Sequence, residues 1–409
     1  MKGFLEPSVW GKRKAPLPLI PHCDACGLYK HCKTPKMPVS GAGRRKILIL
    51  SEAPGADEDR EGVQLIGNAG TKLSEMLYSL GVDMRRDCWL TNAVICRPSF
   101  KDGKNRTPDK KEVDACRPNL VKALRELSPD VVIPIGKVGI ESIIPLAWRP
   151  GEVKEVKRWA GWRIPSIKLN TWICPTYHPS YLLREEEIRN NVPTMFTKWH
   201  LQRALALKGK PHKETPNYRK QCQLFLDHEA AGKAVHELMS RKLPLAFDYE
   251  TNMLKPDSPD SEILCCSVSD GERSIAFPWY GNAVTAVKSL LLSDVPKISA
   301  NLRFEERWTR RHLKIRVNNW FWDTLPGAHW LDCRPEICSL KFQSFVLLGV
   351  EDYDYVIDDY RSSKNNESNS QNRLKEVEIK ELLMYCALDS LFEVLVAKKQ
   401  RKLGGFHDV

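Results

Sequence analysis

Two short segments of this 409-residue chain place carboxylates where they can act together. In FDYET (247–251), Asp248 and Glu250 stand two residues apart, so on an extended strand both point to one face. In YCALD (385–389), Tyr385 and Asp389 stand four apart, which on a helix is again one face. Groups gathered this way can hold two divalent cations about 4 Å apart, one activating water and the other stabilising a leaving oxygen. Oxygen donors suit Mg2+ or Mn2+. Cysteine offers a second chemistry. Cys23 and Cys26 form a CxxC pair, and Cys96 and Cys116 follow as distant singles. Such a set can wrap an iron–sulfur cluster or a zinc ion, or it can remain free thiols. The 13 cysteines are an odd number in a long chain with no apparent export signal, which argues against a disulfide framework.

The elements that must position these residues alternate between strand and helix. KILILSEAPG reads as a buried strand entering a Gly/Pro turn, residues 68–81 as a helix, 88–96 as a strand and 110–128 as a helix. Residues 129–144 read as strand, turn and helix, 172–183 as a strand entering a loop, and 185–207 as helical. This alternation predicts an α/β fold with a mostly parallel sheet and a site at the strand C-terminal ends. The polar, basic, proline-bearing stretch KGKPHKETPNYRK predicts a linker over 208–224. After it a helix (229–241) and the strand LPLAFDYET open a second α/β domain, 225–409, with a mobile polar loop at 361–373. Residues 1–20 read as a basic N-terminal arm ahead of a first domain over 21–207.

Composition narrows the class. Hydrophobic residues at 42% and charged residues at 28% are globular proportions, and no apolar run is long enough to span a bilayer. An intracellular, cytoplasmic protein with no membrane partner is expected. The net charge of +12 suits a polyanionic partner, although a generically basic soluble protein carries the same charge.

Five segments in order, CDACGLYKHC, SEAPGADEDREG, TNAVICRP, DACRPNL and PTYHPSYLLR, resemble the family-4 uracil-DNA glycosylases, a family that includes domains at the start of some phage DNA polymerases. The resemblance covers about residues 20–205 and implies a three-layer parallel-sheet fold with a [4Fe–4S] cluster on Cys23, Cys26, Cys96 and Cys116, leaving Cys32 aside. It also implies a pocket for a flipped base. There Ala53, Pro54 and Gly55 line the base edge, and the carboxylates Glu52 and Glu58 stand near the sugar. Asn92 hydrogen-bonds uracil, His178 meets the carbonyl oxygen where negative charge grows, and Ser180 holds the DNA backbone. Two positions depart from the family pattern. Leu65 stands where an aromatic side chain usually stacks on uracil, and Ser51 stands where glycine usually precedes Glu52.

FDYET, NLRFEERW (301–308), WDTLPGAHWLD (322–332) and YCALDS resemble the 3′→5′ proofreading exonuclease domain of family-A DNA polymerases, of the DEDDy class and ribonuclease-H-like fold, over about residues 225–400. The resemblance assigns two Mg2+ or Mn2+ ions to Asp248, Glu250, Glu305 and Asp389, and the orientation of the attacking water to Tyr385. Glu305 stands where Asp is usual, Asn301 and Phe304 match the rest of that segment beside the substrate, and Asp323 reads as structural. The expectation is an enzyme that excises uracil from DNA and trims DNA 3′ ends, with DNA as substrate and a DNA polymerase on a separate chain as a candidate partner. The alternative is a non-catalytic uracil- or DNA-binding module that tethers the exonuclease.

Overall fold

The computed structural model describes residues 23–149, 151, 153–362 and 370–406. Its contacts divide the described chain into two units, one running to Thr215 and including Gly349–Glu351, the other holding Pro216–Leu348 and the chain from Asp352. The N-terminal arm and most of the low-complexity segment read as a loop (363–369) lie outside the described residues.

The first unit is built on five strands: β1 (Ile47–Ser51), β2 (Cys88–Asn92), β3 (Val131–Pro134), β4 (Ile164–Ser166) and β5 (Thr171–Ile173), in the order β2-β1-β3-β5-β4. All neighbours run parallel except β4, which pairs antiparallel with β5. Strand β1 explains the layering. Ile47 and Ile49 face Leu73, Met76 and Leu77 of the helix Asn68–Tyr78 and Leu182 of the helix Pro179–Glu187. Leu48 and Leu50 alternate to the other face and are equally buried, so helices cover both sides of a central parallel strand.

The second unit contains β6 (Cys222–Leu224), β7 (Leu245–Thr251), β8 (Ile263–Ser269), β9 (Ser274–Pro278), β10 (Lys297–Ser299) and β11 (Trp320–Asp323), ordered β11-β10-β7-β8-β9-β6. β7, β8 and β9 form an antiparallel meander, and β10 and β11 add to β7 in parallel. The 25-residue helix Ile379–Leu403 packs along this sheet, and Tyr385, Cys386 and Ala387 join a core with Cys265 and Ala276.

Two segments differ from their expected form. The stretch read as one helix over 185–207 is two, Pro179–Glu187 and Val192–Leu205. Arg189, at φ +61°, leaves the helical region, and Pro193 restarts the helix in its first turn, where a missing N–H costs nothing. The stretch read as a linker carries structure. Lys210 Nζ donates to the carbonyls of Ser128 and Pro129, residues 218–221 form a 3-10 turn, and Cys222–Leu224 pairs with β9.

Candidate active sites

Because β1, β2, β3 and β5 are parallel, their C-terminal ends share one edge of the first sheet. Ser51 ends β1, Asn92 ends β2, and His178 follows β5 as the N-cap of Pro179–Glu187. His178 Nδ1 accepts the Ser180 backbone N–H at 3.2 Å and lies 2.7 Å from the Ser180 hydroxyl, so the neutral ring carries its proton on Nε2. That Nε2 stands 3.4 Å from the Ser51 hydroxyl. Burial, reinforced by the Arg184 charge, pushes the imidazole down to about 4, so the ring is neutral at physiological pH. Gly136 permits this packing: its φ is +74°, and a Cβ there would lie 2.8 Å from that of His178. Asn92 is 3% exposed, and its Nδ2 has no hydrogen-bond partner among the described residues.

The turn after β1 is held by Glu58. One carboxylate oxygen accepts the Gly55 N–H at 3.1 Å, and the other accepts those of Ile66 and Gly67 at 3.2 and 3.0 Å. Expected near the sugar, this carboxylate instead braces two loops against each other. Ala53 and Pro54 lie in the turn, and burial raises the Glu52 carboxyl above its usual range, opposed by a hydrogen bond with Thr107. Leu65 sits at φ +54° in the core cluster with only 8% exposure, its carbonyl held by Arg85 at 2.9 Å. The Ser180 side chain, expected on the DNA backbone, is engaged with His178.

Cys96 Sγ accepts the Lys36 backbone N–H at 3.2 Å, and Cys116 Sγ accepts the Ile95 N–H at 3.4 Å and the Asn119 amide at 3.5 Å. Donors of this kind stabilise the thiolate form that a cluster needs. Burial pushes Cys96 up to about 12, with the Cys32 and Cys116 thiols close by, and it also raises Cys116, beside Cys26 and Cys23. Thiols that ionise so reluctantly in isolation, yet carry hydrogen-bond donors on sulfur, fit a cationic cluster. Cys32, set aside in the sequence, lies against Cys96.

In the second unit, ligand atoms of Asp248, Glu250 and Cys386 all lie within 4.8 Å of one another. Cys386 Sγ lies 3.5 Å from Asp248 Oδ2. Burial, followed by the charge of Asp389, raises Asp248 to about 7. Glu250 and Glu305 also rise, again mainly from burial, and Asp248 is the first charged cause for each. Glu305 is 2% exposed and accepts the Ser299 hydroxyl at 2.7 Å. Asp389 accepts from Lys341 Nζ and from the Tyr353 hydroxyl at 2.6 Å, while Arg361 donates to the Tyr385 hydroxyl. Asp323 caps two helix starts, accepting the N–H groups of Asn301 and Leu302 at 2.9 Å and of Leu325 at 3.0 Å. Asn301 is exposed at φ +81°, and Phe304 packs on the core beside Trp308.

Sequence reasoning passed over Lys341, Tyr353, Arg361, Cys386 and Glu393. Glu393 lies one turn beyond Asp389, is 1% exposed, and accepts the Ala300 N–H at 2.9 Å. Its four-residue spacing from Asp389 was the available signal.

Comparison with known proteins agrees with this division. Residues 38–206 match the uracil DNA glycosylase superfamily, and residues 222–403 match a 3′-5′ exonuclease family. The type-4 uracil-DNA glycosylase of Pyrobaculum aerophilum is 38% identical over 42% of this chain and 84% of its own length. That of Archaeoglobus fulgidus is 34% identical over 44% of this chain and 87% of its own. A DNA polymerase of Bacillus phage SP01 is 24% identical over 81% of this chain, but only 38% of that polymerase is covered. Among solved structures, RNase D of Escherichia coli aligns over 45% of each chain, with 12% identity and a TM-score of 0.35.

Proposed function

The chain belongs, through its first domain, to the type-4 uracil-DNA glycosylase family, and from that premise we propose a single polypeptide that excises uracil from DNA and hydrolyses DNA from its 3′ end. The observation that carries the first activity is the unpaired amide nitrogen of Asn92 at the same sheet edge as a neutral His178. A buried N–H with no acceptor costs about 1–3 kcal/mol, which a base edge presenting carbonyl oxygens offsets. Asn92 reads uracil. His178 donates from Nε2 to the oxygen on which charge accumulates as the base departs, and it does so without first losing a proton. Ser51 and Gly136 set the height of that ring, and Glu58 fixes the turn that the base edge approaches. Glu52, its carboxyl partly desolvated, stands on the sugar side to position water. The cluster on Cys23, Cys26, Cys96 and Cys116 has a structural role and ties the N-terminal segment to the sheet.

In the second domain, Asp248, Glu250, Glu305 and Asp389 would hold two Mg2+ or Mn2+ ions, and Tyr385 would orient water toward the terminal phosphate. When bound, the cations supply charge neutralisation and lower the pKa of water. The chain's own residues hold the acids in register: β7 presents two, and the helix Ile379–Leu403 presents Asp389 and Tyr385. The 3′ ends so trimmed suit a DNA polymerase as partner. The test is 5′-labelled, uracil-containing single-stranded DNA incubated with and without Mg2+ and then treated with alkali. Alkali-labile breaks at uracil in both conditions, with Mg2+-dependent end-trimming besides, are expected. No breaks at uracil would overturn the first activity, and no trimming the second.

A further inference from the structure

Glu393 is an unusual residue to bury. One oxygen accepts the Ala300 N–H, and the other, Oε2, has no hydrogen-bond partner among the described residues. Among the described residues, the ionisable groups that act on it most are the acids Asp248, Glu305 and Asp389, drawn from β7, the helix Leu302–Leu313 and its own helix. Lys341 and Arg361, the basic residues at this site, are spent on Asp389 and on Tyr385 and Asp354. A buried acceptor left open is costly, and more so when charged. A chain that needed only a cap for the Ala300 N–H could use an uncharged amide of the same length. Three acids around a fourth, with one oxygen open, form an arrangement that a divalent cation would satisfy.

We infer that Glu393 is a fifth carboxylate of the exonuclease cation site, its Oε2 serving the second divalent ion beside Asp248, directly or through water. This rests on the exonuclease reading above. It also bears on Glu305, whose side chain is turned to Ser299: Glu393 supplies at that end of the site a charge that Glu305 delivers less directly.

The test is Mn2+ binding to the full chain, followed by electron paramagnetic resonance of the free ion, for wild type, Glu393→Gln and Asp248→Asn. Gln keeps the length of the side chain and the acceptor for Ala300 but removes the charge. Wild type should take up two Mn2+ in the second domain, and Glu393→Gln should weaken one of them roughly tenfold or more. In EDTA the Gln variant should melt at or above the wild-type temperature, because an unpaired buried acid is gone. A structural Glu393 would instead lower it. Glu393→Asp, which keeps the charge with shorter reach, should bind with intermediate affinity and serves if the Gln variant does not fold. Wild-type Mn2+ binding by Glu393→Gln while Asp248→Asn loses both ions would overturn the inference alone. Wild-type binding by Asp248→Asn would overturn the exonuclease reading beneath it.

Discussion

Asn92 and Glu393 occupy comparable stations in two unlike units. Each is almost wholly buried beside a site, and each leaves one polar atom unpaired. The atoms are of opposite kind. Around Asn92 the protein keeps charge low: His178 is pushed to neutrality, and the open atom is an N–H donor. Around Glu393 it gathers acids: burial first, and the neighbouring acids after it, raise Asp248, Glu250, Glu305 and Glu393 above their usual ranges. A neutral pocket with spare donors recognises an electron-rich base edge. A crowded set of acceptors recognises cations. What each site lacks in hydrogen bonds describes its ligand better than what it possesses.

The strongest way to break that contrast is to remove charge where it is concentrated. Asp248→Ala should reduce 3′-end degradation to the level of a no-enzyme control while uracil release continues at the wild-type rate. Equal degradation by wild type and variant would remove the cluster from the chemistry. Next in size, Asn92→Ala and His178→Ala should each lower uracil release by about 10²–10³-fold, the usual cost of one preorganised donor, without slowing end-trimming.

A third test sharpens the claim of neutrality. Because the His178 pKa is lowered to about 4, the ring stays uncharged from pH 8 down to pH 5 and gains a proton only as pH falls through 4. Protonation would put an N–H at Nδ1 facing the Ser180 N–H. With Glu52→Gln as the background, which removes the raised carboxyl of Glu52, the residual uracil release should therefore be level over pH 5–8 and fall below that range. A decline centred near 6.5, the unperturbed value for histidine, would contradict the burial argument. The smallest effect concerns Leu65. An aromatic stack is worth about 1–3 kcal/mol per base, but Leu65 is turned into the core, so Leu65→Phe should raise single-turnover uracil release by less than that range implies. A loss of thermal stability without gain in rate would show that position 65 serves packing.

The fold was legible where periodicity is strong. The alternation in KILIL, the two-residue spacing of Asp248 and Glu250, and the four-residue spacing of Tyr385 and Asp389 each lead to the observed faces. The order of short segments singled out Asn92 and His178, which the fold brings to one edge of the first sheet. What escaped depends on tertiary closure. Glu393 stands four residues from Asp389, but only the packing of its helix on the sheet makes it a buried acid. Lys341 and Tyr353 reach Asp389 from 48 and 36 residues away, a distance no local pattern reports. Glu58 was singled out, but its bracing contacts were not foreseen, because nothing local indicates that residues 66 and 67 fold back to meet it.

That brace has a consequence for how the pocket breathes. Three amides, those of Gly55, Ile66 and Gly67, depend on one side chain rather than on a sheet or helix ladder. Each hydrogen can exchange with solvent deuterium only when the carboxylate lets go, and letting go frees the two loops together. Their exchange should therefore be correlated, with a common opening free energy well below that of the strand residues Leu48 and Leu50. The two walls of the base pocket would then behave as one cooperative door, hinged on a single carboxylate.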